Sequence, residues 1–284
     1  MSDDGTMAST PRTDGHLPAA PSIALRPAEL VEARGERRIS VCIPARDEAA
    51  TVGDVVATLV GGLTAAGGGV PLLHEVLVVD DGSSDGTGDV ARRAGARVVG
   101  PAPSDGTPER QGFGGKGQAM AAALEESEGD LLVYLDADVT NFSPHFVTGL
   151  LGPLLTEEST TLVKGFYERP LHGAPGGGGR VTELVARPAI DLLFPELSGI
   201  HQPLAGETAA PRWVLEKCGL ADGYAVELAL LIDVATRFGV ETIAQVDLGV
   251  RVHRNRPLSE LRPQAVDVLR AALDRAGVTP PPPH

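Results

Sequence analysis

Leu131-Leu132-Val133-Tyr134-Leu135-Asp136-Ala137-Asp138 reads as a buried strand that breaks off into two aspartates. Successive side chains on a strand point to opposite faces, so Asp136 and Asp138, at i and i+2, share one. The apolar residues before them fill both faces, the pattern of a strand covered on two sides in a mostly parallel sheet. In open α/β sheets, ligands bind beyond the carboxyl ends of the strands. Two hard oxygen donors at that rim suit Mg²⁺ or Mn²⁺, ions that also hold phosphate oxygens. The stretch therefore implies a metal-dependent site for a nucleotide diphosphate.

On either side, strand and helix patterns alternate. Strands are expected at 38–43, 75–79, 97–99, 130–135 and 161–166, with helices at 49–66, 87–94, 116–127 and 144–155. This implies an α/β fold with a mostly parallel, Rossmann-like sheet flanked by helices. After about Gly177 the chain becomes more helical, at 180–193, 211–217 and 225–238, before a late strand at 244–253. A nucleotide-binding half at 38–165 and an acceptor-binding half at 166–276 are expected to share one core. Residues 1–37 read as a disordered tail, with room for a short helix at Pro27–Arg34, and 277–284, ending in four prolines and a histidine, as a second.

The chain has 284 residues, 42% of them hydrophobic, which is enough for a real core. A formal net charge of −14 argues against nucleic acid as a partner. Cys42 and Cys218 sit among apolar neighbours and are expected as buried free thiols. Residues 1–21 lack the basic start and apolar core of a signal peptide, and no apolar run reaches the length of a membrane span. A cytoplasmic protein with no membrane partner is expected.

Other candidate loops fall beside the aspartates. Strand one runs into Pro44-Ala45-Arg46-Asp47-Glu48, and strand two into Asp80-Asp81-Gly82-Ser83-Ser84-Asp85-Gly86-Thr87. Two adjacent carboxyl-end loops would flank one crevice, suited to a nucleoside. Gly112-Phe113-Gly114-Gly115-Lys116-Gly117 lacks P-loop spacing, but offers backbone N–H groups at a helix start and a point charge at Lys116, a fair diphosphate site. Gly176-Gly177-Gly178-Gly179-Arg180-Val181-Thr182-Glu183 repeats the device, where Arg180 and Thr182 can grip a phosphate or carboxylate. Glu227 interrupts an apolar helical run and needs a partner if buried. Arg251-Val252-His253-Arg254-Asn255-Arg256 is a basic cluster in an acidic chain, which implies an anionic ligand, while His253 can serve as a metal ligand.

Together these residues resemble the glucosyl-3-phosphoglycerate synthases of actinobacteria, retaining glycosyltransferases of the GT-A type. The resemblance spans about Ile39 to Leu269. It is most specific in 177–188, in 244–258 and in Gln202-Pro203-Leu204-Ala205-Gly206-Glu207. It implies a GT-A nucleotide-diphospho-sugar transferase fold and a homodimer. It also implies metal-dependent transfer of glucose from a nucleotide sugar, usually UDP-glucose, to 3-phosphoglycerate. By position, Pro44, Ala45, Glu48 and Ser83 would hold the nucleoside and Lys116 would meet the donor. Asp136, Asp138 and His253 would surround Mg²⁺ or Mn²⁺ in a DXD motif. Gly179, Arg180, Val181, Thr182, Asn255 and Arg256 would hold phosphoglycerate, with the Leu204 backbone nearby. Tyr224 and Glu227 would line the sugar pocket. Arg251 counts with the donor-facing residues, and Glu227, Asp138 and Lys116 are the catalytic candidates. Besides a shorter loop before the four glycines, three residue departures from the family pattern are expected near the pockets: Thr208 for a common Tyr, His201 for an apolar residue, and Asp81 for a common Ser.

Three other readings compete. One is a GT-A relative with another phosphorylated acceptor, and one is an inverting enzyme acting on a lipid phosphate. The third is a non-catalytic nucleotide-sugar sensor.

Overall fold

The computed structural model describes residues 25–65, 70–100, 112–169, 179–252 and 261–279. Its centre is β1 (Ile39–Ala45), whose Ile39, Val41 and Ile43 point to one face of the sheet and Cys42 to the other. Parallel to it run β2 (Glu75–Asp80), with Ala45 opposite Asp80, and β4 (Leu131–Tyr134), with Ile39 opposite Leu131. A short edge strand, β3 (Arg97–Val99), pairs parallel with β2. Beyond β4 the direction reverses once. There β6 (Thr208–Pro211) runs antiparallel to both β4 and β5 (Leu162–Glu168), and β7 (Ile243–Val250) returns parallel to β5. The seven-stranded order is β3-β2-β1-β4-β6-β5-β7.

Helices cover both faces. One apolar layer joins α1 (Pro27–Arg34), α2 (Val52–Leu63), α3 (Thr87–Ala94) and α5 (His145–Thr156) to the sheet, through side chains such as Leu30, Val56, Leu59 and Leu150. The opposite layer is built from α4 (Lys116–Glu126), α6 (Arg187–Leu193), α7 (Arg212–Cys218), α8 (Val226–Phe238) and α9 (Leu261–Arg275). One sheet runs through both halves, and β5 crosses the 165/166 division.

The sequence reading needs several corrections. The short helix expected at Pro27–Arg34 forms as α1, but it is no part of a tail, because it packs Leu30, wholly buried, into the core. The antiparallel β6 goes unread because Thr-Ala-Ala-Pro is only four residues long and has no bulky alternation. Helix α9 goes unread because its buried face is Val268, Ala271 and Ala272, a weak apolar contrast. The late strand ends at Val250, and residues 253–260 lie outside the described ones, as do 1–24 and 280–284. Both cysteines are free as expected, but only Cys42 is buried, and burial pushes its thiol up to about 12. Among the described residues, no helix is long and apolar enough to cross a membrane.

Candidate functional site

The two donor-side loops are stitched together before any ligand is considered. Asp47 N–H donates to Ser83 Oγ (3.0 Å), Glu48 N–H to Thr87 Oγ1 (2.8 Å) and Ala49 N–H to Asp85 Oδ2 (2.9 Å). Ser84 N–H returns a bond to Asp47 Oδ1 (2.8 Å). Asp47 sits at φ +54°, a left-handed conformation that Asp tolerates better than most residues. Ser83, which the resemblance implies for the nucleoside, helps to hold the loop and is not among the residues lining the cavity. Asp81 is on that wall instead, 3.6 Å from Arg46 and accepting Gly114 N–H at 3.2 Å.

Lys116 opens α4, which packs so closely on the turn before α8 that a Cβ at Gly117 would lie 1.9 Å from Ala221 O. Its Nζ is 2.5 Å from both Asp136 Oδ1 and Glu227 Oε1. Burial opposes the Lys116 charge, but the two carboxylates outweigh it and hold the ammonium well above the ordinary lysine range. Asp136 is the mirror case. Burial pushes its carboxyl up, and Lys116 and Arg251 outweigh this and hold it well below the usual carboxylate range.

Arg251, 3% exposed, faces the aspartates from the end of β7. Its Nη2 donates to Asp136 Oδ2 (2.9 Å) and Asp138 Oδ1 (2.6 Å), and its Nη1 to the Tyr167 hydroxyl (2.7 Å). Its Nε is 3.2 Å from Glu207 Oε1, an ion pair without hydrogen-bond alignment. Tyr167 OH also accepts from Arg169 Nη2 (2.6 Å), whose guanidinium lies over the ring at 4.8 Å. Both oxygens of Asp136 are therefore committed to cations, while Asp138, paired to Arg251 through Oδ1, lines the cavity.

A cavity of about 370 Å³ joins these groups. Pro44, Ala45, Glu48, Lys116, Asp136, Asp138 and Arg251 line it together with Gly179, Arg180, Val181, Thr182, Leu204 and Tyr224. The Thr182–Ala186 turn is π-helical, with Arg187 N–H bonded to Thr182 O, a distortion often found at functional sites. Glu227 is not on the wall; it stands behind Lys116, 6% exposed. His253, Asn255 and Arg256 lie outside the described residues. The described carboxylates fit a Mg²⁺ or Mn²⁺ ion that is held by one or two protein oxygens together with phosphate oxygens. Among the described residues, no three-ligand cluster of His, Cys, Asp or Glu gathers.

Arg169 is a wall residue absent from the sequence candidates. It shares a strand face with Tyr167 at the carboxyl end of β5, so the rim rule that singles out Asp136 and Asp138 points to it too. Leu261 and Gln264 reach the wall from the unread α9. Of the three departures, only Asp81 borders the cavity. His201 stacks on Phe166 with centroids 4.5 Å apart, and Thr208 is buried, accepting from Lys164 Nζ at 3.0 Å.

Lys164 is 2% exposed, and its hydrogen-bond partners are neutral: Thr208 Oγ1 and Ala205 O. Burial lowers its ammonium to about 8, against roughly 10.4 in an unfolded chain. Between those values the unfolded chain binds more protons, so stability rises with pH across this window and the gain is absent below it. Thermal unfolding between about pH 8 and pH 10 should show Lys164→Met removing a rise on the order of 1–3 kcal/mol. Identical pH dependence in both proteins would refute this.

The model for Glycosyl transferase family 2 matches residues 40–177. The glucosyl-3-phosphoglycerate synthase of Mycolicibacterium paratuberculosis is 47% identical over 261 residues, covering 88% of this chain and 76% of the relative. The chain belongs to the glucosyl-3-phosphoglycerate synthase family. It is a glycosyltransferase with the GT-A fold. The Petrotoga mobilis synthase is 43% identical over 253 residues, covering 87% of this chain and 76% of its own. A crystal structure of the Mycobacterium tuberculosis synthase with Mn²⁺, UDP-glucose and phosphoglyceric acid superposes with a TM-score of 0.78 at 42% identity, covering 90% of this chain and 85% of that one.

Proposed function

We propose that this chain transfers glucose from UDP-glucose to the hydroxyl of 3-phosphoglycerate, with retention at the anomeric carbon and with Mg²⁺ or Mn²⁺ at Asp138. The observation that carries this reading is the mixed charge of one cavity. Carboxylates held by Lys116 and Arg251 share its lining with Arg169, Arg180 and the Thr182 turn. The carboxylates suit a metal-bound diphosphate, and the arginines a small acid with two anionic groups. The ligands named for the M. tuberculosis enzyme support the same assignment.

In this reading Pro44, Ala45 and Glu48 border the nucleoside. Lys116 and Arg251 fix Asp136, and Asp138 would hold the ion. When bound, the divalent ion supplies Lewis acidity that offsets charge on the departing diphosphate. Arg180 and Thr182 would seat the phosphoglycerate, and the family resemblance would add Asn255 and Arg256 to the acceptor and His253 to the metal. Tyr224 and Leu204 border the sugar between the two ends. Glu227 is a positioning residue, because its carboxylate is engaged by Lys116. A front-face route, which needs no protein nucleophile, fits that engagement.

A donor-by-acceptor screen with metal omitted and restored tests the assignment. Metal-dependent turnover of UDP-glucose with 3-phosphoglycerate supports it, whereas binding with zero turnover across acceptors would favour a sensor. NMR of the product's anomeric proton decides stereochemistry, and inversion would remove the front-face route. Arg169→Met should raise the KM for 3-phosphoglycerate about tenfold through loss of a charge-assisted contact, with little change in the KM for UDP-glucose. Equal effects on both substrates would refute an acceptor-side role. The same reading makes the protein a cytoplasmic homodimer, with Leu184 and Leu192, 72% and 81% exposed, offering an apolar surface. A monomer mass by light scattering would count against it.

A further inference from the structure

Glu207 enters the site from the strand that reverses the sheet. It immediately precedes β6, between the strand that delivers the aspartates and the strand that delivers Tyr167 and Arg169. Its side chain is wholly buried, and neither carboxylate oxygen has a hydrogen-bond partner among the described residues. A carboxylate taken out of water without hydrogen bonds is costly and persists where a specific charge answers it. That charge is Arg251, whose Nε lies 3.2 Å away. The same guanidinium reaches both Asp136 and Asp138 with Nη2. Gly206, next in chain, lies so close to Asp136 that a Cβ there would fall 2.2 Å from Oδ1.

We propose that Glu207 positions the aspartate pair for its divalent ion by acting through Arg251. The reasoning is electrostatic. An ion approaching Asp138 meets a guanidinium already shared between the two aspartates, and like charges repel. Glu207, on the far edge of that guanidinium, offsets its charge and anchors its Nε side, leaving Nη2 free to yield Asp138. Tyr167 fixes the Nη1 side, so the guanidinium can pivot without leaving the site. Glu207 touches neither the cavity nor a substrate; it is a positioning residue.

The inference rests on Asp138 holding the ion, and the test separates the two ideas. Mn²⁺ binding to the full chain with saturating UDP is followed by the electron paramagnetic resonance of free Mn²⁺, and thermal unfolding is measured alongside. Glu207→Gln keeps the shape and removes the charge. It should weaken Mn²⁺ about tenfold, the usual scale for a residue one layer behind a metal ligand. Glu207→Asp keeps the charge and should stay within about threefold of wild type. In Glu207→Gln/Arg251→Met, which removes both charges together, most of the lost affinity should return. A folded Glu207→Gln with wild-type Mn²⁺ affinity would overturn the proposal, as would a double variant no better than the single. If Glu207→Gln does not fold, Glu207→Asp decides, and a tenfold loss there overturns it. Wild-type protein that binds no Mn²⁺ with UDP would overturn the metal reading itself, and this inference with it.

Discussion

Asp138→Ala is expected to lower metal-dependent glucosyl turnover on the order of 10³-fold, the scale of removing a group that stabilises charge in the transition state. It should leave the melting temperature within a few degrees of wild type. The two expectations separate because of where Asp138 stands. It is 28% exposed, and its ion pair is to an arginine that also has Asp136, Glu207 and the Tyr167 hydroxyl. Removing Asp138 therefore strands no buried charge, and substitutions of that kind shift stability little. Asp136→Ala should behave differently, since it takes a carboxylate from both Lys116 and Arg251 and should cost stability and turnover together. Steady-state rates with Mn²⁺ or Mg²⁺, beside thermal unfolding, check both. Undiminished turnover in Asp138→Ala would refute its role.

The features legible in the sequence have strong local signals. Continuous apolar runs mark β1, β2 and β4, and the carboxyl-end rule for open sheets brings Pro44, Lys116, Asp136 and Asp138 to one cavity. Glycine before a helix marks Gly179 to Thr182 as a wall segment. The features that are not legible depend on tertiary partners. Glu207 looks like any loop acid until β6 inserts between β4 and β5 and buries it beside Arg251. Glu227 reads as a sugar-facing carboxylate until Lys116 covers it. Ser83 shows no sign in the sequence of its place in the loop, where its hydroxyl accepts from Asp47 N–H in a left-handed turn. In each case the residue type suits chemistry, and the neighbour that holds it is set by the fold and not by the local sequence.

Lys116 shows how far the same charges carry the fold as well as the reaction. Lys116→Met keeps the apolar stem but removes the cation shared by Asp136 and Glu227. Breaking one partner of a buried pair costs roughly 3–5 kcal/mol. Lys116 and Asp136 are each 20% exposed, so a figure of about 2–4 kcal/mol is expected here. In a protein of this size that lowers the melting temperature by roughly 5–15 °C. The pH dependence should change with it. Asp136 is held low in the folded state, so its contribution to stability is present above its unfolded value, roughly 3.9, and is lost as pH falls toward the folded one. Without Lys116 that depression shrinks, and the acid-unfolding midpoint should move to higher pH. Adding Glu227→Gln removes the second stranded charge and should recover part of the lost stability without restoring turnover, because the cation proposed to meet the donor is still missing. Circular dichroism against temperature and pH, read beside kcat, checks all three expectations. A Lys116→Met protein as stable as wild type would mean that Asp136 and Glu227 are not bound to this ammonium, and the buried ion-pair account of the site would fall with it.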